Sequence, residues 1–165
     1  MKVYKYLLII LVLGYSCQTK NDIPIEIKLN SNWEFKATDS VKWKSASVPG
    51  NVFTDLIQHK IIPDPFQKSN ENKVQWVASK NWEYKTNFSL SENILQKKHI
   101  NLIFEGLDTY AGIYVNDSLI QQTSNAFRTY VINIKKLAKK TNDLRIVFES
   151  TTHTENNEVV KLPYE

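Results

Sequence analysis

Chemistry by side chains needs reactive groups that converge, and this sequence spreads its own widely. His59, His99 and His153 lie far apart, with no helical or hairpin spacing between any two. Packed or solvated histidines are the expectation, and no metal site is assigned. Cys17 is the single cysteine, so no intramolecular disulfide can form. No Gly-x-Ser-x-Gly elbow exists either, which leaves covalent hydrolysis without a nucleophile. Gly14, Gly50, Gly106 and Gly112 are too dispersed to cradle a phosphate, and no cofactor is expected. Carboxylates are plentiful (Asp55, Asp64, Glu71, Glu83, Glu105, Asp108), but nothing in their spacing pairs any two for acid/base work. Asp64, between Pro63 and Pro65, reads as the cap of a rigid turn.

Binding has better material. Aromatics make up 12% of the 165 residues, and Trp33, Trp43, Trp76 and Trp82 are grouped in the first half. So many rings need a core or a ring-lined cleft. Trp82 lies inside an alternating run and is assigned to the core. Trp76, in the long loop from Pro63 to Val77, is open to two readings, a core ring or a ring lining a binding cleft. Asn70 and Glu71 share that loop, where binding groups concentrate, although either could equally stabilise the loop itself. The formal charge of +4 excludes little, but no cluster of Lys and Arg with interleaved aromatics appears, so nucleic acid is not a partner. Lys135, Lys136, Lys139 and Lys140 read as a solvated turn.

Residues 1–17, MKVYKYLLIILVLGYSC, stand apart from the rest. Lys2 and Lys5 precede an unbroken apolar run from Leu7 to Leu13, far shorter than the roughly 20 residues of a membrane-spanning helix. Small residues then lead to Cys17, and the whole reads as a secretory signal. Its removal takes two lysines and lowers the charge from +4 to +2. Leu13-Gly14-Tyr15-Ser16-Cys17 resembles a bacterial lipobox. That resemblance implies Cys17 as the site of lipidation and a secreted chain held on a bacterial membrane by a lipid anchor, at the periplasm or cell surface. Residues 18–24 follow as a polar tether.

The remainder is strand-rich. Alternation predicts strands over Ile25–Leu29, Trp82–Phe88 and Leu144–Phe148, with further β-rich runs at Ile100–Phe104, Gly112–Val115 and Val131–Ile134. Asn116-Asp117-Ser118 predicts a turn. Tyr110 and Tyr114 are expected on one face of their strand, with Ala111, Ile113 and Val115 on the other. One short helix is expected after Pro49-Gly50, capped by Asn51, and a second over Ser69–Val77. Strands at this density, with one or two short helices, give an all-β antiparallel sandwich or jelly roll over 25–150. Residues 151–165 are polar and patternless, and are read as a truncated linker toward a missing domain.

Eight segments, in order, carry a family resemblance: Trp33-Glu34-Phe35; Val48-Pro49-Gly50 leading to Asp55-Leu56; Ile62-Pro63-Asp64-Pro65-Phe66; Asn70-Glu71 with Gln75-Trp76-Val77; Trp82-Glu83-Tyr84 with Phe88; Phe104 to Ala111; Tyr114-Val115-Asn116; and Asn125-Ala126-Phe127-Arg128. The series resembles the N-terminal, galactose-binding-like β-sandwich of β-mannosidases in glycoside hydrolase family 2. The resemblance implies a β-mannoside or manno-oligosaccharide as substrate of the full-length enzyme. It also implies a catalytic barrel as the partner domain, and makes Asn70, Glu71 and Trp76 the candidates for sugar contact.

In that family two glutamates about 5 Å apart do the hydrolysis. They sit on a barrel that takes about 250 residues by itself, so no residue here is assigned a catalytic role. The alternative is a stand-alone, carbohydrate-binding surface lipoprotein. A domain that packs on a barrel should also leave apolar surface bare, and Pro63, Pro65, Phe66, Trp76 and Val77 are the expected place.

Overall fold

The computed structural model describes residues 24–67, 69–150 and 152. The signal, Cys17 and nearly all of the predicted tether and linker lie outside the described residues. The rest forms eight strands in two antiparallel sheets. β1 (Trp33–Ala37), β2 (Lys44–Ala46), β3 (Trp82–Ser89), β5 (Tyr110–Val115), β6 (Ser118–Ser124) and β8 (Thr141–Phe148) make one sheet, ordered β2-β1-β3-β8-β5-β6. β4 (Asn101–Phe104) and β7 (Tyr130–Asn133) make the other. This is the antiparallel sandwich that the alternation predicted.

The period of two does most of the building. Along β3, Trp82, Tyr84, Thr86 and Phe88 are buried, and along β5 Ala111, Ile113 and Val115 are buried while Tyr110 and Tyr114 face outward. β3 pairs with β8 over its whole length, from Trp82 opposite Phe148 to Ser89 opposite Thr141. The inward residues meet Phe35, Leu56, Val77, Ile134 and Leu144 in one core. The outward face of the large sheet is covered by its own charges and rings. Glu83 pairs with Lys36 at 3.2 Å and Arg145 at 3.3 Å. The Arg145 guanidinium lies 4.0 Å from the Tyr114 ring centroid, and the Lys85 ammonium 4.0 Å from that of Trp43. The long stems of these residues and the two rings shield one another from water on a face that no second layer of the described residues covers.

Turns behave as their residues dictate. Asn116 and Asp117, both at positive φ (49° and 64°), join β5 to β6 in a two-residue hairpin loop, the geometry that suits the twist of the strands. Asn51 caps α1 (Val52–Gln58), accepting from the Thr54 backbone N–H at 3.0 Å. Gly50 has no left-handed backbone. It is glycine because an added Cβ would sit 2.2 Å from the Ser47 carbonyl oxygen.

Three expectations need correction. Ile25–Leu29 forms no strand: Ile25 and Ile27 are 54% and 49% exposed, and only Leu29 packs on the core. The predicted helix over Ser69–Val77 is two shorter pieces, α2 (Glu71–Val74) and a 3₁₀ turn (Gln75–Val77). A further turn of helix, α3 (Glu92–Leu95), was not predicted, because it is short and carries no periodic apolar face.

Candidate functional site

One end of the sandwich gathers the loops that the sequence singled out. It is the end where β3 begins and β8 finishes, and where β4 passes to β5 and β6 to β7. The loop after α1 is built around Asp64. Its carboxylate accepts from the Phe66 backbone N–H (3.0 Å) and the Gln67 side-chain amide (3.3 Å). Its carbonyl accepts from Asn70 Nδ2 at 3.1 Å. Asp64 thus caps the turn as its prolines suggested, and the tightness of that turn turns Phe66 outward, 96% exposed.

The three candidate sugar contacts take different places on this loop. Asn70 is half-buried and spends its side chain locally, donating to Asp64 and accepting from Lys73 Nζ at 3.1 Å. Glu71 is exposed in the first turn of α2. Trp76 is 38% exposed, with its ring 6.1 Å from that of Trp82 and tilted by 43°. The two tryptophans form one wall of an open cleft of about 220 Å³ whose rim carries Asp39, Lys42, Lys44 and Lys80. Asn70 and Glu71 do not line it, so the structure does not bring the three candidates into one pocket. Lys80 pairs with Asp39 and holds that carboxyl below its usual range. Trp82 is the core ring expected of it, and its indole N–H donates to the Val77 carbonyl at 2.9 Å.

Two more loops complete this end. An added Cβ at Gly106 would lie 3.2 Å from the Ala126 carbonyl oxygen, so the segment after β4 and the one after β6 touch. Gly106 itself has no positive φ. Asn125 Oδ1 accepts from the Phe127 N–H at 2.8 Å, an Asx turn like that of Asp64, and Phe127 stands 98% exposed. Tyr130 braces the segment, accepting from Ser124 N–H and donating to Asn125 O, both at 3.3 Å.

Of the apolar surface expected at Pro63–Val77, Phe66 and Trp76 are bare, while Val77 is buried in the core. Phe127 was missed as a surface ring. The available signal was an Asn two residues before a lone Phe in a polar loop, the same arrangement as Asp64 before Phe66. Two phenyl rings held clear of their own domain by Asx turns can bury apolar surface only against something else.

A buried charged site lies beneath. Asp55, fully buried on α1, accepts from the Ser47 N–H at 2.9 Å and the Tyr84 hydroxyl at 2.8 Å. Burial, followed by the Asp55 carboxylate, raises the Tyr84 hydroxyl far above its ordinary range. This pair clamps the Val48-Pro49-Gly50 segment and α1 to β3, and so sets where the loop carrying Phe66 departs. Among the described residues no group of three or more His, Cys, Asp or Glu is arranged to hold a metal.

Comparison with known proteins agrees with this arrangement. Residues 33–165 match the family described as glycosyl hydrolase 2 galactose-binding domain-like. A β-mannosidase of Capra hircus is 33% identical over 126 residues, covering 76% of this chain and 14% of that protein. Beta-mannosidase B of Thermothelomyces thermophilus is 35% identical over 130 residues, 76% of this chain and 15% of that one. The solved β-D-mannosidase of Dictyoglomus thermophilum superposes with a TM-score of 0.81 at 38% identity, covering 84% of this chain and 17% of that structure. The chain therefore spans well under a fifth of the length of these relatives, and its own residues 33–165 belong to the glycosyl hydrolase 2 galactose-binding domain-like family.

Proposed function

We propose that this chain is the non-catalytic, leading sandwich domain of a β-mannosidase, which docks on a catalytic barrel through the end bearing Phe66 and Phe127. The observation that carries the reading is the pair of rings, 96% and 98% exposed, on loops whose hydrogen bonds hold them away from their own core. An interface between domains of one chain buries about 600–1,500 Å², and aromatic rings are the usual anchors in such patches. Terminal β-D-mannose is the substrate class of the whole enzyme in this reading. Glu71 and Trp76, further along the loop that carries Phe66, reach the sugar from the side, with Asn70 holding that loop in shape.

A chimera tests the proposal. This chain replaces the matching segment of the Dictyoglomus thermophilum enzyme, and hydrolysis of an aryl β-mannoside is measured. Activity within about tenfold of the parent supports the reading, and an inactive chimera whose barrel is folded argues against it.

For the export of the chain, we infer that Cys17 is acylated after signal removal, on the strength of the Leu13–Cys17 segment. Labelling of the expressed chain with radioactive palmitate, lost in Cys17→Ser, is the expected result. Equal labelling of both, or none of either, removes the anchor.

A further inference from the structure

The opposite end of the sandwich collects lysines from two distant stretches of sequence. Lys97 and Lys98 follow α3 and lead into β4, while Lys135, Lys136, Lys139 and Lys140 lie between β7 and β8. Strand pairing joins them. Asn101 opposes Asn133 where β4 begins and β7 ends, and the Leu90 N–H donates to the Lys140 carbonyl at 2.9 Å. Lys135 reaches across to the Leu95 carbonyl, and His99 meets Asn133 at 3.0 Å. Lys98, Lys136, Lys139 and Lys140 are all exposed. Among the described residues, the carboxylates on the adjoining elements are Glu92, Asp117 and Asp143, beside the four exposed lysines. Read along the sequence, the second run is an ordinary solvated turn; the fold makes it half of a patch.

The chain also approaches the fold from this side. Ser31 accepts from Thr86 Oγ1 at 3.2 Å, and β1 runs from there toward the start of β3, away from the lysines. Ser31, just before β1, therefore lies on the side of the basic end, while Phe66, Trp76 and Phe127 lie at the other.

We propose that the basic end is a contact surface for an anionic phospholipid bilayer, which orients the domain with its ring-bearing loops pointing away from the membrane. A cluster of four to eight lysines beside a membrane attachment is the pattern that recognises acidic headgroups. Such an attraction is screened within about 10 Å at 0.1 M salt, so it acts only on a surface already close by. The patch goes beyond the proposed role in a mannosidase; its place beside a membrane rests on the anchor inferred at Cys17, whereas its lipid preference is measured without acylation.

The test is co-sedimentation of the full chain with vesicles of phosphatidylcholine alone, or containing about a third phosphatidylglycerol. Any pull from the apolar residues 7–13 is common to both vesicles and cancels in the comparison. The expected result is at least tenfold stronger partition onto the anionic vesicles, lost in 0.5 M salt. Lys136→Gln with Lys139→Gln should lower it about tenfold or more. Lys42→Gln with Lys44→Gln, an equal charge change beside the Trp76 cleft, should leave it within about twofold.

Equal partition onto both vesicle types overturns the proposal. So does an equal loss in both double variants, which would make the effect one of net charge alone. Retention on heparin without vesicle binding also overturns it, and assigns the patch to polyanionic glycans instead. Melting curves matching the parent show that each variant is folded, and palmitate labelling reports on the anchor independently.

Discussion

The Tyr84 hydroxyl, on β3, donates to the carboxylate of Asp55, on α1, across 2.8 Å of the core. Asp55 is fully buried, and its second oxygen takes the Ser47 N–H, so one charge fastens the loop before α1, the helix itself and the central strand. A hydrogen bond to a buried charge contributes about 1.5–3 kcal/mol. Tyr84→Phe is therefore expected to lose about that much stability in urea unfolding, with the slope unchanged. A loss under about 0.5 kcal/mol would show that Ser47 alone satisfies the carboxylate.

The same pair sets a response to alkali. Burial, then Asp55, raises the Tyr84 hydroxyl in the folded state, whereas the unfolded chain ionises near pH 10. The folded state thus holds its proton where the unfolded state has released it. The contribution is complete below about pH 10 and declines above it by about 1.4 kcal/mol per pH unit. Melting temperature measured from pH 8 to 11 should fall more steeply for the parent than for Tyr84→Phe. Parallel curves would contradict the assignment.

Gly50 gives a purely steric prediction. A methyl group there would meet the Ser47 carbonyl oxygen at 2.2 Å, and backbone cannot swing aside as a side chain can. Gly50→Ala should cost about 1–3 kcal/mol. Gly106→Ala, with its nearest neighbour at 3.2 Å, should cost less. Equal costs would mean that the Ser47 segment yields.

Much of this architecture could be read from residue order. The burial of alternate residues along β3, β5 and β8, the Asn51 cap and the Asn116-Asp117 hairpin are local effects, written in a period of two or in side chains that bond their own backbone. What escaped was decided by partners far away in sequence. Ile25 and Ile27 alternate as well as any strand but stay exposed and pair with no strand among the described residues. Gln121 and Gln122 look like loop, yet pair with Ile113 and Gly112 because β6 is an edge strand whose side chains face water. The basic end is invisible in sequence, since Lys98 and Lys136 meet only after β4 has paired with β7. At the candidate site the loop was legible from its prolines and rings. Phe127 was missed, although the Asn two residues before it is the same local signal as Asp64 before Phe66.

Glu71 and Trp76 should affect substrate and not folding. In the chimeric enzyme, Glu71→Gln or Trp76→Ala is expected to raise KM for an aryl β-mannoside about threefold to tenfold, with the melting temperature of Glu71→Gln unchanged. Unchanged KM in both would confine these residues to the loop's own structure.

The central claim is that the ring-bearing end is a docking surface for a catalytic domain. Its most direct measurement is calorimetric titration of this chain into the Dictyoglomus thermophilum enzyme lacking the segment that this chain matches. The predicted result is binding at micromolar affinity or tighter, weakened about a hundredfold by Phe66→Ser with Phe127→Ser, since buried rings dominate such interfaces. Binding of equal strength by the parent and the double variant, or no binding by either, would contradict it.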